Sequence, residues 1–159
     1  MKQILCHDID GKLHSVNANK LIFRPSVYGL LIDRRRILLL NQKSGYDFPG
    51  GGMEIFETID QTLQREFWEE TGIKIKKTRL IDCASSFFYS DYLKQYFNAI
   101  LIYYLCKKIG GRLSRNNFDD REKKYALGPQ WIELKNITKI NFANPINSFK
   151  LINQAISYR

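Results

Sequence analysis

Glu66, Glu69 and Glu70 carry the clearest chemical pattern in the sequence. Spaced i, i+3 and i+4, they share one face of a helix within about a single turn. Three carboxylates held that close repel one another unless a cation screens them. A hard divalent ion suits such a set: magnesium takes carboxylate oxygens together with waters and commonly a substrate phosphate, and manganese is the alternative. The competing reading is a bare solvated acidic face, so the neighbouring residues have to decide. Directly upstream, Gly50, Gly51 and Gly52 provide a backbone without Cβ atoms that can approach a ligand closely.

The wider segment reads G-x5-E-x7-R-E-Φ-x-E-E-x-G-Φ, with Φ apolar. Gly51, Glu57, Arg65, Glu66, Phe67, Glu69, Glu70, Gly72 and Ile73 fill every defined position. At about 7% usage per residue type, seven polar or glycine matches coincide by chance on the order of once in 10⁸ starting positions. The segment resembles the Nudix box, and the chain is similar to Nudix hydrolases of the MutT-like group. That resemblance implies an α/β fold, an α/β/α sandwich with a mixed β-sheet and two principal helices. It also implies magnesium-dependent hydrolysis of a phosphoanhydride bond in a nucleoside diphosphate-linked substrate.

Residue by residue, the resemblance makes Glu66, Glu69, Glu70 and the Gly50 carbonyl metal ligands. Glu66 is also the first candidate for the base that activates water. Arg65 pairs with Glu57 and braces loop against helix. Some relatives take the base from a glutamate in a late loop; Glu122 is the nearest match here, with a solvated loop acid as the alternative. Phe56 departs from the family pattern, which usually has Gly before the first glutamate, and leaves the shape of that loop open.

Substrate contacts are less sharply marked. Asn144 stands where MutT-like relatives place an Asn that bonds a purine, and an amide both donates and accepts. Asn followed by Pro145 equally fits a helix cap and first helical residue. Tyr89 and Tyr92 are candidate pocket residues that could stack on a base, and Lys43 is either a phosphate contact or a surface lysine. Arg24-Pro25-Ser26-Val27 resembles the first strand of bacterial RNA 5′-pyrophosphohydrolases, so an RNA 5′ end is the alternative substrate, ranked behind a free nucleotide. A Nudix-fold module that binds a nucleotide without cleaving it is the rival from another class.

These residues need a scaffold. Ile59, Leu63 and Phe67 recur every four residues and predict a helix over Thr58–Thr71, started by the Thr58/Gln61 capping box and stopped by Gly72. β-rich runs at Gly11–Val16, Ser26–Ile32 and Ile37–Leu40 precede it. Arg79–Tyr89 and Gln95–Lys107 follow, with a turn at Gly110-Gly111, a polar loop to Pro129 and a strand over Gln130–Leu134. A last helix is predicted from Pro145, burying Ile146, Phe149, Ile152 and Ile156.

Composition sets the outer bounds. The chain has 159 residues, 44% hydrophobic with 10 Phe, 9 Tyr and 2 Trp, which suits one domain over 1–159 with a real core. Its three cysteines share no metal-ligand spacing and argue against a disulfide framework. No segment reads as a signal peptide or membrane span, so the expected compartment is the cytoplasm. The net charge is +9, yet residues 50 to 73 carry −5, leaving +14 on the rest. An acidic island in a basic protein suits a metal site that receives phosphates. Composition does not separate a monomer from a homodimer.

Overall fold

The computed structural model describes residues 2–8, 10–91, 93–118, 123, 126–144 and 146–158. Its strands are β1 (Gln3–His7), β2 (Leu13–Asn17), β3 (Leu21–Asp33), β4 (Arg36–Gln42), β5 (Gly45–Asp47), β6 (Gly50–Gly52), β7 (Ile73–Ser90), β8 (Gln95–Gly111) and β9 (Ala126–Glu133). The α-helices whose bounds lie within the described residues are α1 (Ile59–Thr71) and α2 (Ser148–Ser157), and short 3₁₀ turns cover Ala18–Lys20 and Leu134–Lys139.

The sheet is mixed and runs β2-β1-β7-β8-β3-β4-β5, with β6 also on β3 and β9 on β4. β3 is its organiser. One edge pairs in parallel with β8 from Leu21↔Tyr96 to Leu31↔Cys106. Its other edge takes β6 at Ser26–Tyr28 and β4 at Leu31–Asp33, both antiparallel. Because successive side chains of a strand point to opposite faces, β3 serves two cores. Val27 and Leu31 join Leu38, Leu63, Phe67, Ile73, Ile75 and Cys106 under α1. Leu30 and Ile32 join Leu101, Tyr103, Leu105, Leu151, Ile152 and Ala155 under α2. The result is the expected α/β/α arrangement.

α1 forms where the sequence places it. Thr58 and Gln61 complete the capping box, with Thr58 N–H donating to Gln61 Oε1 at 2.8 Å and Gln61 N–H to Thr58 Oγ1 at 3.3 Å. Gly72 ends the helix at φ +70°, and its N–H donates to the Trp68 carbonyl at 2.8 Å. Leu63 and Phe67 are fully buried, contributing ~1.5–3 kcal/mol each.

Elsewhere the structure corrects the expected boundaries. Pro145, the expected start of the last helix, lies outside the described residues; α2 starts at Ser148 and its cap is Asn147, whose Oδ1 accepts the Lys150 N–H at 3.0 Å. Its buried residues are Ser148, Leu151, Ile152 and Ala155, while Phe149 and Ile156 are about 40% exposed at 39% and 41%. Both sets obey helical spacing, and contact with β3 and β7 selects the one that contains Leu151 and Ala155. Gly110 and Gly111 make no turn: they pair with Lys74 and Ile73 at the end of β8. β9 begins before Pro129, because the ladder to β4 extends through Leu40↔Pro129 to Gln42↔Ala126. β2 starts at Leu13 and acquires an N-terminal partner, β1.

Candidate active site

β6 and α1 face each other across a gap that only glycine backbone allows. Gly50 has φ +147°, and a Cβ there would stand 2.2 Å from the Val27 carbonyl oxygen and 2.6 Å from Tyr28 Cα. A Cβ on Gly51 would stand 2.6–2.7 Å from the Glu66 carboxylate atoms. One turn further along α1, Glu70 Oε2 accepts the Gly50 N–H at 2.8 Å. Glu66 and Glu70 therefore meet at the β6 backbone.

Arg65 organises the acids around them. Its Nε and Nη2 donate to the two oxygens of Glu57 at 2.6 and 2.7 Å. Its Nη1 donates to Glu66 Oε1 at 2.8 Å and Glu69 Oε2 at 3.2 Å, and Nη2 to the Gly52 carbonyl at 3.3 Å. Such forked, charge-assisted bonds fix direction as well as distance. Glu57 also accepts from Thr62 Oγ1 at 2.9 Å and Glu54 N–H at 3.2 Å. The Arg65 guanidinium, with these donors, holds the Glu57 carboxyl down at about 2. The expected Glu57–Arg65 brace is present, and it reaches Glu66 and Glu69 as well.

The three helical glutamates are not equivalent. Glu70 is buried, Glu66 side-chain exposure is 15%, and Glu69 is 36% exposed and turned toward Arg65. Among the described residues, no three acidic, imidazole or thiol side chains form a closed cage for a metal. The donor set nevertheless fits a hard divalent cation. It offers carboxylate oxygens beside a backbone stripped of Cβ atoms, a set that such an ion completes with waters or phosphate.

The remaining sequence candidates separate. Asn144 lies in the segment before α2, where its Oδ1 accepts the Ile146 N–H at 3.3 Å, and its side chain neighbours the Tyr103 phenol. Lys43 is exposed in the turn between β4 and β5. Tyr89 lies at the far end of β7, its ring 4.7 Å from Tyr96 and 6.2 Å from His14. The β3 residue beside Tyr96 is Leu21, five residues and about 17 Å along the strand from Ser26, where β6 begins its pairing. The structure thus does not gather Tyr89 with the glutamates. Glu122 and Tyr92 lie outside the described residues. Phe56 is 79% exposed, so its bulk is accommodated in solvent and not in the core.

Sequence reasoning missed two groups at this cleft. Arg24 lies against Gly52, where a Cβ would meet its Nη2 at 2.7 Å, and its guanidinium covers the Phe97 ring at 5.1 Å. Its only signal was its place in Arg24-Pro25-Ser26-Val27. Asp47, at the end of β5, carries a carboxyl that burial pushes up to about 7, partly offset by the Phe48 N–H it accepts. A lone acid two residues before Pro49 gives no sequence signal.

The NUDIX domain family model matches residues 22–150. The chain belongs to the NUDIX family. It is thus a NUDIX hydrolase domain, of a class that acts on phosphorus-containing acid anhydrides and generally uses divalent cations. Among curated relatives, the mouse protein named nucleoside diphosphate-linked moiety X motif 6 is 30% identical over 141 residues, covering 85% of this chain and 40% of that protein. The 8-oxo-dGTP diphosphatase of Buchnera aphidicola is 26% identical over 126 residues, covering 75% of this chain and 84% of that one. The MutT protein of Bacillus halodurans superposes with a TM-score of 0.64 at 22% identity, over 86% of this chain and 83% of that chain. A UDP-X diphosphatase structure gives 0.63 at 17% identity, over 87% of this chain and 65% of that chain, and both structural likenesses speak for the fold. Among the described residues, no helix of this NUDIX domain is long and apolar enough to cross a membrane.

Proposed function

We propose that this NUDIX protein hydrolyses a phosphoanhydride bond in a nucleoside diphosphate-linked substrate, with magnesium as the working cation. The observation that carries the reading is the meeting of Glu66 and Glu70 at Gly50 and Gly51, with Arg65 aligning Glu57, Glu66 and Glu69 behind them. Glu66, Glu69, Glu70 and the Gly50 carbonyl would hold the cation. When bound, it would neutralise charge on the phosphate oxygens as the anhydride opens.

The protein's own groups do the rest. Glu66, pressed against Gly51 and oriented by Arg65, is the base that takes a proton from the attacking water. Arg65 acts through the carboxylates it orients and is a positioning residue. Arg24, at the Gly52 end of the cleft, offers a fixed guanidinium to a substrate phosphate. Asn144 lies on the side where the nucleoside would enter. Lys43, exposed at its turn, would meet a phosphate only on a substrate long enough to reach it.

The test is pyrophosphate or phosphate release from a panel of nucleoside triphosphates, nucleotide sugars, dinucleoside polyphosphates, and triphosphorylated or NAD-capped RNA. Wild-type protein is compared with Glu66→Gln and Glu69→Gln. Each variant should lose at least about tenfold in rate with magnesium. Turnover by Glu69→Gln as fast as wild type would show that these acids do not carry the reaction, and no turnover of any substrate by wild type would show the protein to be a binder. The RNA reading is favoured by the +14 charge outside the acidic segment, and predicts a steep fall in activity with salt.

A further inference from the structure

The β7–β8 hairpin and the first part of β3 form a sheet face that α1 covers only in part. Strand residues in register share a face, and every second residue returns to it. Val27 on β3 and Tyr104 on β8 pack under α1. Beyond them the same face carries Ser85, Ile100 and Pro25 in one row. Phe87, Asn98 and Phe23 form the next row, and Tyr89, Tyr96 and Leu21 the last. Phe23 is 63% exposed and Phe87 37%, while the last row is half-buried. On the opposite face of β8, Phe97, Ala99 and Leu101 are buried. The strands are thus covered on one side and open on the other.

The apolar surface continues at the β3 border. Met53 N–H donates to the Pro25 carbonyl at 2.9 Å, and Glu57 N–H to the Glu54 carbonyl at 3.0 Å, so the chain leaves β3 into a tight turn. Its tip holds Ile55, fully exposed, and the exposed Phe56, two and three residues from Met53 and so within about 7–10 Å of it. At these exposures Phe23, Phe87, Ile55 and Phe56 present on the order of 500 Å² of apolar side chain. Monomers rarely expose a patch above a few hundred Å², and a stable dimer buries about 800 Å² on each subunit. The half-buried rows around these four side chains bring the face toward that area.

The chemistry of the face selects its partner. None of the side chains in the three rows is charged, although the chain has 25 lysines and arginines and 16 acids. A surface that tracks nucleic-acid phosphates carries Lys and Arg, whereas aromatic side chains without charge mark the centre of a protein interface. The pattern is also its own complement. Phe23 and Phe87 flank Asn98 on the two neighbouring strands, so a twofold axis lying in the face over Asn98 sets each Phe on a Phe of a second copy. The same axis sets amide on amide, and each amide can both donate and accept. We propose that this face is an isologous dimer interface, on which a second copy of the chain packs its own β3–β8–β7 face. The Ile55-Phe56 turn lies at its rim. Because Phe56 directly precedes Glu57, the interface borders the Arg65 brace.

Sedimentation velocity on the full chain over about 1–100 μM tests the proposal, and wild type should pass from monomer to dimer within that range. Phe23→Glu and Phe87→Glu set like charges against each other across the twofold. Each should weaken the dimer at least about tenfold while keeping the native NMR dispersion, since both positions are exposed. Ile109→Glu, 65% exposed at the other end of β8, should leave the dimer unchanged. Asn98→Cys in a Cys83→Ser background should form an intersubunit disulfide under mild oxidation, and adding Phe23→Glu should remove it. A wild type that stays monomeric throughout overturns the proposal, as does a dimer that Phe23→Glu and Phe87→Glu both leave intact. Failure to cross-link in an Asn98→Cys variant that still dimerises overturns the axis over Asn98. A monomeric wild type that binds a single-stranded RNA oligonucleotide, with binding lost in the same two variants, would overturn it in favour of a nucleic-acid surface.

Discussion

Glu57→Gln tests whether Arg65 holds the active-site acids in place. In the wild type the Arg65 fork closes on both oxygens of Glu57 at 2.6 and 2.7 Å, with side-chain exposures of 30% for Arg65 and 9% for Glu57. Lowering the Glu57 carboxyl from 4.5 to about 2 would correspond to ~3 kcal/mol if fully realised. Solvent screening at the part-exposed guanidinium reduces this to ~1–2 kcal/mol, or roughly 2–8 °C in Tm. The contribution is complete above the unfolded carboxylate value of 4.5 and is lost as pH falls toward 2. Chemical denaturation of wild type and variant should therefore differ by ~1–2 kcal/mol at pH 7 and converge as pH drops through that window. Activity should fall with stability, because the freed guanidinium can close further on Glu66 and Glu69. A difference that is absent at pH 7, or that persists undiminished to pH 2, would falsify the brace.

Two further perturbations separate geometry from folding. Gly51→Ala places a Cβ 2.6 Å from the Glu66 carboxylate, so steady-state kinetics should show a large loss of kcat while the melting temperature moves little, since a side chain and not backbone has to yield. An unchanged kcat would mean that the position of Glu66 does not matter. Thr58→Ala removes the cap from Gln61 N–H and should cost ~1 kcal/mol in urea denaturation; a change below about 0.3 kcal/mol would show that the cap does not hold α1.

The sequence was most legible where interactions are local. The α1 boundaries depend on Thr58, Gln61 and Gly72, all within the helix or beside it, and the acids inherit their spacing from the same 3.6-residue period. Misreadings came where a distant partner decides. Asn144-Pro145 has the chemistry of a helix start, yet residues 141–143 are held against β5, and the helix waits for Asn147. For α2, two overlapping apolar stripes satisfy the same spacing, and only packing on β3 and β7 selects Leu151 over Phe149. Gly110-Gly111 has turn chemistry, but Gly111 lies against the Gly72 carbonyl, an approach that only a three-dimensional neighbour could require. Asp47 was invisible for a related reason: its environment is assembled from β3, β5, β8 and the segment before α2.

The attachment of β5 to residues 141–143 also bears on motion. The glycine strand and the acids of α1 lie within one stretch of 21 residues, Gly50 to Glu70, joined by a short connection. The opposite wall is tied to them by two backbone bonds that close a loop of nearly a hundred residues. Loop entropy grows slowly with length, but few bonds stand against it, and contacts of this kind belong to the low-stability end of the native ensemble. Transient opening can therefore carry the Asn144 side away while α1 and β6 stay folded. Exchange of what occupies the cleft then need not disturb the groups that perform the reaction.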